Sequence, residues 1–131
     1  MNEVLAFLKK SGTFYLATLD GDQPRVRPFG AITEIDGKLY LVTGNQKDVF
    51  RQIRQNPKVE LCAMDTEGTW LRVTASLVPD ACRAAKERML QDVPVLRGMY
   101  AADDGVMEVL YLQDATATFA SFGGAPRTIA F

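Results

Sequence analysis

The stretch TWLRVTASLV, residues 69–78, places Leu71, Val73, Ala75 and Leu77 in alternation with Trp70, Arg72, Thr74 and Ser76. An alternation of period two marks a β-strand with one buried face, because successive side chains of an extended chain point to opposite sides of the sheet. Such a strand needs partners. Val59–Met64 supplies one, and Thr66-Glu67-Gly68 between the two runs reads as a turn, so this region predicts a hairpin.

Toward the N-terminus the same logic repeats. Thr13 to Leu19 reads as a strand and Asp20-Gly21-Asp22 as a turn. Arg25 to Ile35 is a second, long strand interrupted by Pro28 and Gly30, and therefore bent or at a sheet edge. Asp36-Gly37 is a tight-hairpin signal leading into Lys38–Thr43. A first helix is capped by Asn2, carries Val4, Leu5 and Leu8 at helical spacing and stops at Gly12. A second runs from about Gln46 to Gln55 with Val49, Phe50 and Ile53 on one face, ended by Asn56-Pro57. Asp80 caps a third, Ala-rich helix that reaches about Gln91 and is closed off by Pro94. Met107 to Ser121 forms one long strand or two, followed by a Gly-Gly tail. The expectation is a mainly β, α+β fold of about six strands and three or four peripheral helices. Hairpin follows hairpin with little βαβ alternation, so an antiparallel barrel, closed or nearly closed, is preferred because closure hides the strand edges.

Composition narrows the function. The 131 residues suit one domain spanning 1–131. Hydrophobic residues make up 47% and charged residues 24%, with 15 basic against 16 acidic side chains. That balance argues against nucleic-acid binding, which needs a surplus of Lys and Arg. No apolar run reaches the length of a membrane span, and the charges of MNEVLAFLKK follow its apolar stretch rather than precede it; a cytoplasmic location is expected. Cys62 and Cys82 lack metal-site spacing and are expected to be buried thiols. Histidine is absent altogether. This removes the usual general base and excludes Ser/His/Asp and Cys/His catalysis, leaving carboxylates or a cofactor to carry any chemistry.

Three places invite a ligand. Arg25 and Arg27 lie two apart on a strand, so both guanidiniums point to one face and suit a phosphate or a polar ring edge. The alternative is a solvated outer face paired with carboxylates. Pro28 and Gly30 close behind free backbone groups from regular pairing. The second place is Leu41-Val42-Thr43-Gly44-Asn45-Gln46-Lys47, a strand turning into a helix, where unpaired N–H groups attract anions and Thr43 and Lys47 add a hydroxyl and a charge. The alternative is that Asn45 and Asp48 satisfy those donors as an ordinary cap. The third is Trp70, either a stacking partner or interface anchor, or an edge aromatic closing the barrel end. Glu60, Asp65 and Glu67 are spaced as an exposed hairpin, so no metal site is expected.

Taken in order, FYLATLDGDQPRVRPFG, then GKLYLVTGNQKDVFRQIRQNPKVEL, then WLRVTASLV resemble the FMN-binding split barrel of the pyridoxamine 5′-phosphate oxidase-like family. The resemblance covers Val4 to Val78 and continues beyond only as strand pattern. It implies a Greek-key split β-barrel of six antiparallel strands. It also implies an FMN cofactor and a homodimer with each flavin in a groove between subunits. By that resemblance Arg25, Val26, Arg27, Pro28 and Phe29 lie along the isoalloxazine ring. Val42 and Thr43 touch its polar edge and ribityl chain, Lys47 pairs with the phosphate, Asn45 and Gln46 belong to the cofactor-binding set, and Trp70 stands near the flavin. Phe119, Phe122 and Gly123-Gly124 are implied at the dimer interface. Without histidine, and without a recognisable C-terminal substrate segment, oxidation of pyridoxamine phosphate is not expected. Nitroimidazole-reducing and haem-degrading relatives are disfavoured for the same want of histidine, and a deazaflavin F420 cofactor is a minor alternative. The leading expectation is a small flavin-dependent oxidoreductase with an unknown substrate. The alternative is a flavin-binding or electron-carrier module without turnover.

Overall fold

A computed structural model describes every residue from Met1 to Phe131. The chain runs α1 (Asn2–Ser11), β1 (Phe14–Asp20), β2 (Gln23–Phe29), β3 (Ile32–Ile35), β4 (Lys38–Gly44), α2 (Asp48–Gln55), β5 (Lys58–Met64), β6 (Thr69–Asp80), α3 (Arg83–Asp92), a 3-10 helix (Pro94–Gly98), β7 (Met107–Ser121) and β8 (Arg127–Ala130). All strand pairs are antiparallel, in the order β2-β1-β5-β6-β7-β4-β3, with β8 added on β7.

That order forces the sheet to curl. β2 and β3 stand at its two ends, yet only Gly30 and Ala31 join them. Laid flat, seven strands would hold the outer two roughly 29 Å apart at the usual strand spacing. Three steps of extended chain span about 10 Å. The sheet therefore bends round until its edges nearly meet, leaving a seam between them. This is the split barrel expected from the sequence, with eight strands rather than six. The single strand expected over Arg25–Ile35 is two: Gly30-Ala31 carries the chain across the seam.

The alternation in β6 holds: Leu71, Val73, Ala75 and Leu77 are buried and pack with Phe14, Leu16, Leu61 and Ala117 in the main core. A smaller core joins Val42, Tyr40 and Val109 to Met89, Leu90 and Leu96. At the β3–β4 hairpin Asp36 and Gly37 take φ of 51° and 79°, the left-handed pair that a tight turn demands. β7 is one 15-residue strand that serves β6 on one side and first β4, then β8, on the other. The C-terminal tail thus ends in a strand, and Phe131 exchanges both backbone hydrogen bonds with Ala115.

Several local expectations are corrected. Met1 and Cys82 hold the N-cap positions of α1 and α3, with no side-chain cap at either; Asn2 is the first residue of its helix, and Asp80 is the last residue of β6. Helix α2 begins at Asp48 instead of Gln46. Pro94 opens a 3-10 helix as well as closing α3. Both cysteines are exposed. Cys62 alternates with the inward-facing Leu61 and Ala63, so its side chain turns out. Phe119 is 8% exposed and stacks edge-on with Phe7 inside the protomer. No helix is long and apolar enough to cross a membrane, and no group of acidic or thiol side chains is arranged to hold a metal.

Candidate functional site

A cleft of about 420 Å³ opens along the seam, within the range usual for small-molecule sites. β2 and the linker give it Arg27, Pro28, Phe29, Gly30 and Ala31; β4 gives Val42 and Thr43; Lys47 and Val49 come from the start of α2. A second hollow of about 550 Å³ continues past Arg27, Lys47 and Val49, and is lined further by Arg25, Val26, Asp20, Asp48 and Gln52. The seam brings together segments that are remote in sequence because both edges of the sheet end there.

Register explains how the arginines reach it. Arg25 lies opposite Thr18, Arg27 opposite Leu16 and Phe29 opposite Phe14, all inward-facing residues of β1. The pair shares the inner side of β2 by register, although Arg25 stays half-exposed and paired with a carboxylate, as the alternative reading held. Their fates differ. Arg27 donates to the Leu16 carbonyl at 3.2 Å, to Thr18 Oγ1 at 2.7 Å and to Gln52 Oε1 at 2.7 Å. Three of the five guanidinium N–H groups are thereby committed, leaving two for a ligand. Burial, and then the neighbouring charge of Arg25, lower the Arg27 pKa from its ordinary value; a guanidinium stays charged at neutral pH regardless. Arg25 is more exposed and pairs with Asp20 at 3.4 Å, which Arg51 shares at the same distance.

At the head of α2 the cap arrangement expected of Asn45 and Asp48 is absent. Lys47 holds the N-cap position with no side-chain cap, and the amides of Asp48 and Val49 meet no backbone carbonyl. Asn45 instead donates to the Gly105 carbonyl at 2.8 Å, and the end of the Gln46 side chain lies over Gly44. The Asp48 carboxylate is 85% exposed and leans toward Arg51 at 3.8 Å, so it leaves those amides open. Around the second hollow Arg25, Arg27 and Lys47 face Asp20 and Asp48, three cations against two carboxylates. Thr43 is 3% exposed, lines the cleft, and its hydroxyl has no protein partner. Since no fully sealed side-chain polar atom goes unpaired, that hydroxyl opens onto the cleft.

Of the residues named from the sequence, Arg25, Val26, Arg27, Pro28, Phe29, Val42, Thr43 and Lys47 converge on this continuous groove. Asn45, Gln46 and Trp70 do not line it. Trp70 sits at the start of β6, opposite Met64 and Ala120, and packs on Phe122 with ring centroids 5.0 Å apart. Sequence reasoning missed the far wall: Val93, Val95, Leu96, Met99 and Tyr100, from the 3-10 helix and its flanks. The signal was present in the apolar residues following Pro94, which no regular periodicity explains.

A barrel opened along one seam, with a groove running into it, defines a split-barrel fold. The chain belongs to the pyridoxamine 5′-phosphate oxidase family, whose model matches residues 1–113. It is similar to a NimC/NimA family protein from Clostridium acetobutylicum, at 49% identity and a TM-score of 0.97 over 100% of this chain and 92% of that one. A pyridoxamine 5′-phosphate oxidase-related, FMN-binding protein from Nostoc punctiforme PCC 73102 shares the fold at 14% identity, with a TM-score of 0.71 over 99% and 93% of the two chains. An F420 reductase shares it at 20% identity and a TM-score of 0.60, over 82% and 90%. No curated protein matches the sequence.

Proposed function

We propose that the groove binds FMN and that the protein is a small flavin-dependent oxidoreductase. The observation that carries this reading is the convergence of an uncapped helix start, Lys47, the Thr43 hydroxyl and the inner face of β2 on one groove. The residues fit the group. The free amides of Asp48 and Val49 with Lys47 suit a phosphate; the unpartnered Thr43 hydroxyl suits a polar chain; Pro28, Phe29 and Val42 suit a flat apolar ring. Arg27, with two N–H groups to spare and its position fixed by Gln52, suits the ring's polar edge. FMN supplies hydride or single-electron transfer when bound. The chain's own part is to bind, orient and exclude water. Family membership and the FMN-binding description of the Nostoc protein support the reading. F420 is the alternative cofactor: the F420 reductase at 20% identity and the Nostoc protein at 14% each share the fold alone, so neither decides between the two.

The active unit on this reading is a homodimer. The outer face of the sheet carries Val26 at 68% exposure, Tyr15 at 50% and Met64 at 53%, and by register these sit side by side with Ala17, Cys62 and Trp70. An outward sheet face is ordinarily polar. Glu60, Arg72 and Thr74 share this face by register, but the exposed run of Val26, Tyr15 and Met64, continued by Phe122 at 88%, favours cover by a second copy.

The test is incubation of purified protein with excess FMN, followed by desalting and an absorbance spectrum. A retained flavin band that bleaches with dithionite and returns in air is expected. A colourless protein overturns the cofactor assignment, and a flavoprotein that no electron donor and acceptor pair can cycle favours a non-catalytic carrier instead.

A further inference from the structure

The start of α2 does not stand alone. The chain reaches it from β4 through Asn45-Gln46-Lys47, and that turn is bonded to the loop leading from the 3-10 helix into β7. The Asn45 amide donates to the Val106 carbonyl at 2.8 Å, and the Asn45 side chain donates to the Gly105 carbonyl at the same distance. Met107 is the register partner of Gly44, the last residue of β4. The Lys47 amide in turn donates to the Gly44 carbonyl at 3.1 Å. Lys47 and the two open amides that follow it are therefore placed by residues 105–107.

What places those residues is one side chain. Asp104 accepts the amides of Val106 and Met107 on Oδ1, both at 2.8 Å, and the amide of Ala101 on Oδ2 at 3.0 Å. Its own amide closes the loop on the Ala101 carbonyl at 3.2 Å. Gly105, at φ 71°, turns the chain sharply between them. These bonds, that of Met107 foremost, hold the Asp104 carboxyl below the usual carboxylate range, so it is an ionised acceptor at neutral pH. Ala101, Asp103, Asp104 and Gly105 are exposed, and the loop has no helix or strand of its own. Hydrogen bonds to the carboxylate, more than packing, give it its shape.

We infer that Asp104 is a positioning residue for the anion-binding end of the groove: through Val106 and Met107 it sets Asn45 and Gly44, and so aims Lys47 and the amides of Asp48 and Val49 at a phosphate. Asp104 lines neither hollow, so it acts through the backbone and not by contact. The inference rests on the flavin reading only in taking that phosphate to be the cofactor's. Aim matters because a hydrogen bond weakens steeply as its angle closes.

Asp104→Ala removes every acceptor from the loop, whereas Asp104→Asn keeps one carbonyl oxygen for Val106 and Met107. FMN and riboflavin are titrated by fluorescence into the parent and both variants. Inorganic phosphate is titrated with the amide chemical shifts of Asp48 and Val49 as readout, and amide exchange is followed without ligand. Asp104→Ala is expected to weaken FMN and phosphate about tenfold, the worth of one charge-assisted hydrogen bond. Asp104→Asn is expected to restore part of that loss, and riboflavin affinity to stay within about twofold throughout. Exchange at Asn45 is expected to quicken at least about tenfold in Asp104→Ala, while that of Leu61, deep in the core, holds. Equal losses for the two flavins, or equal acceleration at Asn45 and Leu61, mark a merely structural role and overturn the inference. An FMN affinity indifferent to Asp104→Ala overturns it too, and leaves the flavin reading standing. If the parent takes phosphate at those amides, loses it in Asp104→Ala and yet binds no FMN, the inference stands and the flavin reading falls. If the parent binds neither, both fall.

Discussion

Arg27 and Gln52 meet at 2.7 Å across the gap between β2 and α2, and Thr18 donates to the same Gln52 oxygen at 2.6 Å. One buried amide, 3% exposed, thus fixes an edge strand to the helix whose N-terminus faces the cleft. Removing it leaves two donors without their acceptor. Gln52→Leu is therefore expected to destabilise the fold by about 1–3 kcal/mol, read as a lower urea midpoint at unchanged slope. FMN affinity should fall with it, since Arg27 is no longer held.

Lys47 has no ion-pair partner in the protein and stands at the uncapped start of α2. Lys47→Ala is expected to weaken FMN binding about tenfold or more, the worth of one charge-assisted contact, and to leave riboflavin binding unchanged. Fluorescence titrations with both flavins check it. Equal losses for the two would move the phosphate toward Arg25.

Met64→Glu places a charge in the apolar outer face without touching the core. Light scattering at micromolar concentration is expected to show one chain's mass for this variant and two for the parent, with circular dichroism unchanged. A dimer that survives the substitution puts the interface elsewhere.

Tyr40 is 6% exposed and donates to Asp80 at 2.7 Å. Burial first, and then the Asp80 hydrogen bond and charge, raise its pKa far above the ordinary value of 10. A group whose folded value is raised stabilises fully below its unfolded value and loses that contribution as pH climbs toward the folded one. Denaturation midpoints should therefore hold up to about pH 10 and fall above it. Asp80→Asn should make that fall gentler.

How much of this was legible in the sequence depended on whether the signal was local. β6 declared itself because one face is core and the other is not, and Asp36-Gly37 because the turn needs two left-handed residues. The division of Arg25–Ile35 was not legible as two strands, since Pro28 and Gly30 mark an interruption but the seam they cross is a property of the whole sheet. Cys62 was readable and misread: strand parity with Leu61 and Ala63 puts it outside, a stronger guide than the general tendency of cysteine to be buried. The caps failed for a different reason. Asn45 has a distant partner, the Gly105 carbonyl sixty residues away, which no local pattern reveals. The absence of histidine limits the chemistry without deciding the branch of the family, since this histidine-free chain is 49% identical to a NimC/NimA family protein.

The two-residue link between the sheet's edges also bears on how the chain folds. The β1–β2 and β3–β4 hairpins are local and can form early, but pairing Gly44 with Met107 must join positions more than sixty residues apart, and such distant contacts cost the most loop entropy and form slowly. Closure of the ring is then a late event, and the seam its weakest line. A molecule lodged there touches both edges at once and acts as a reversible staple, so occupancy should slow unfolding itself and lengthen the lifetime of the native state.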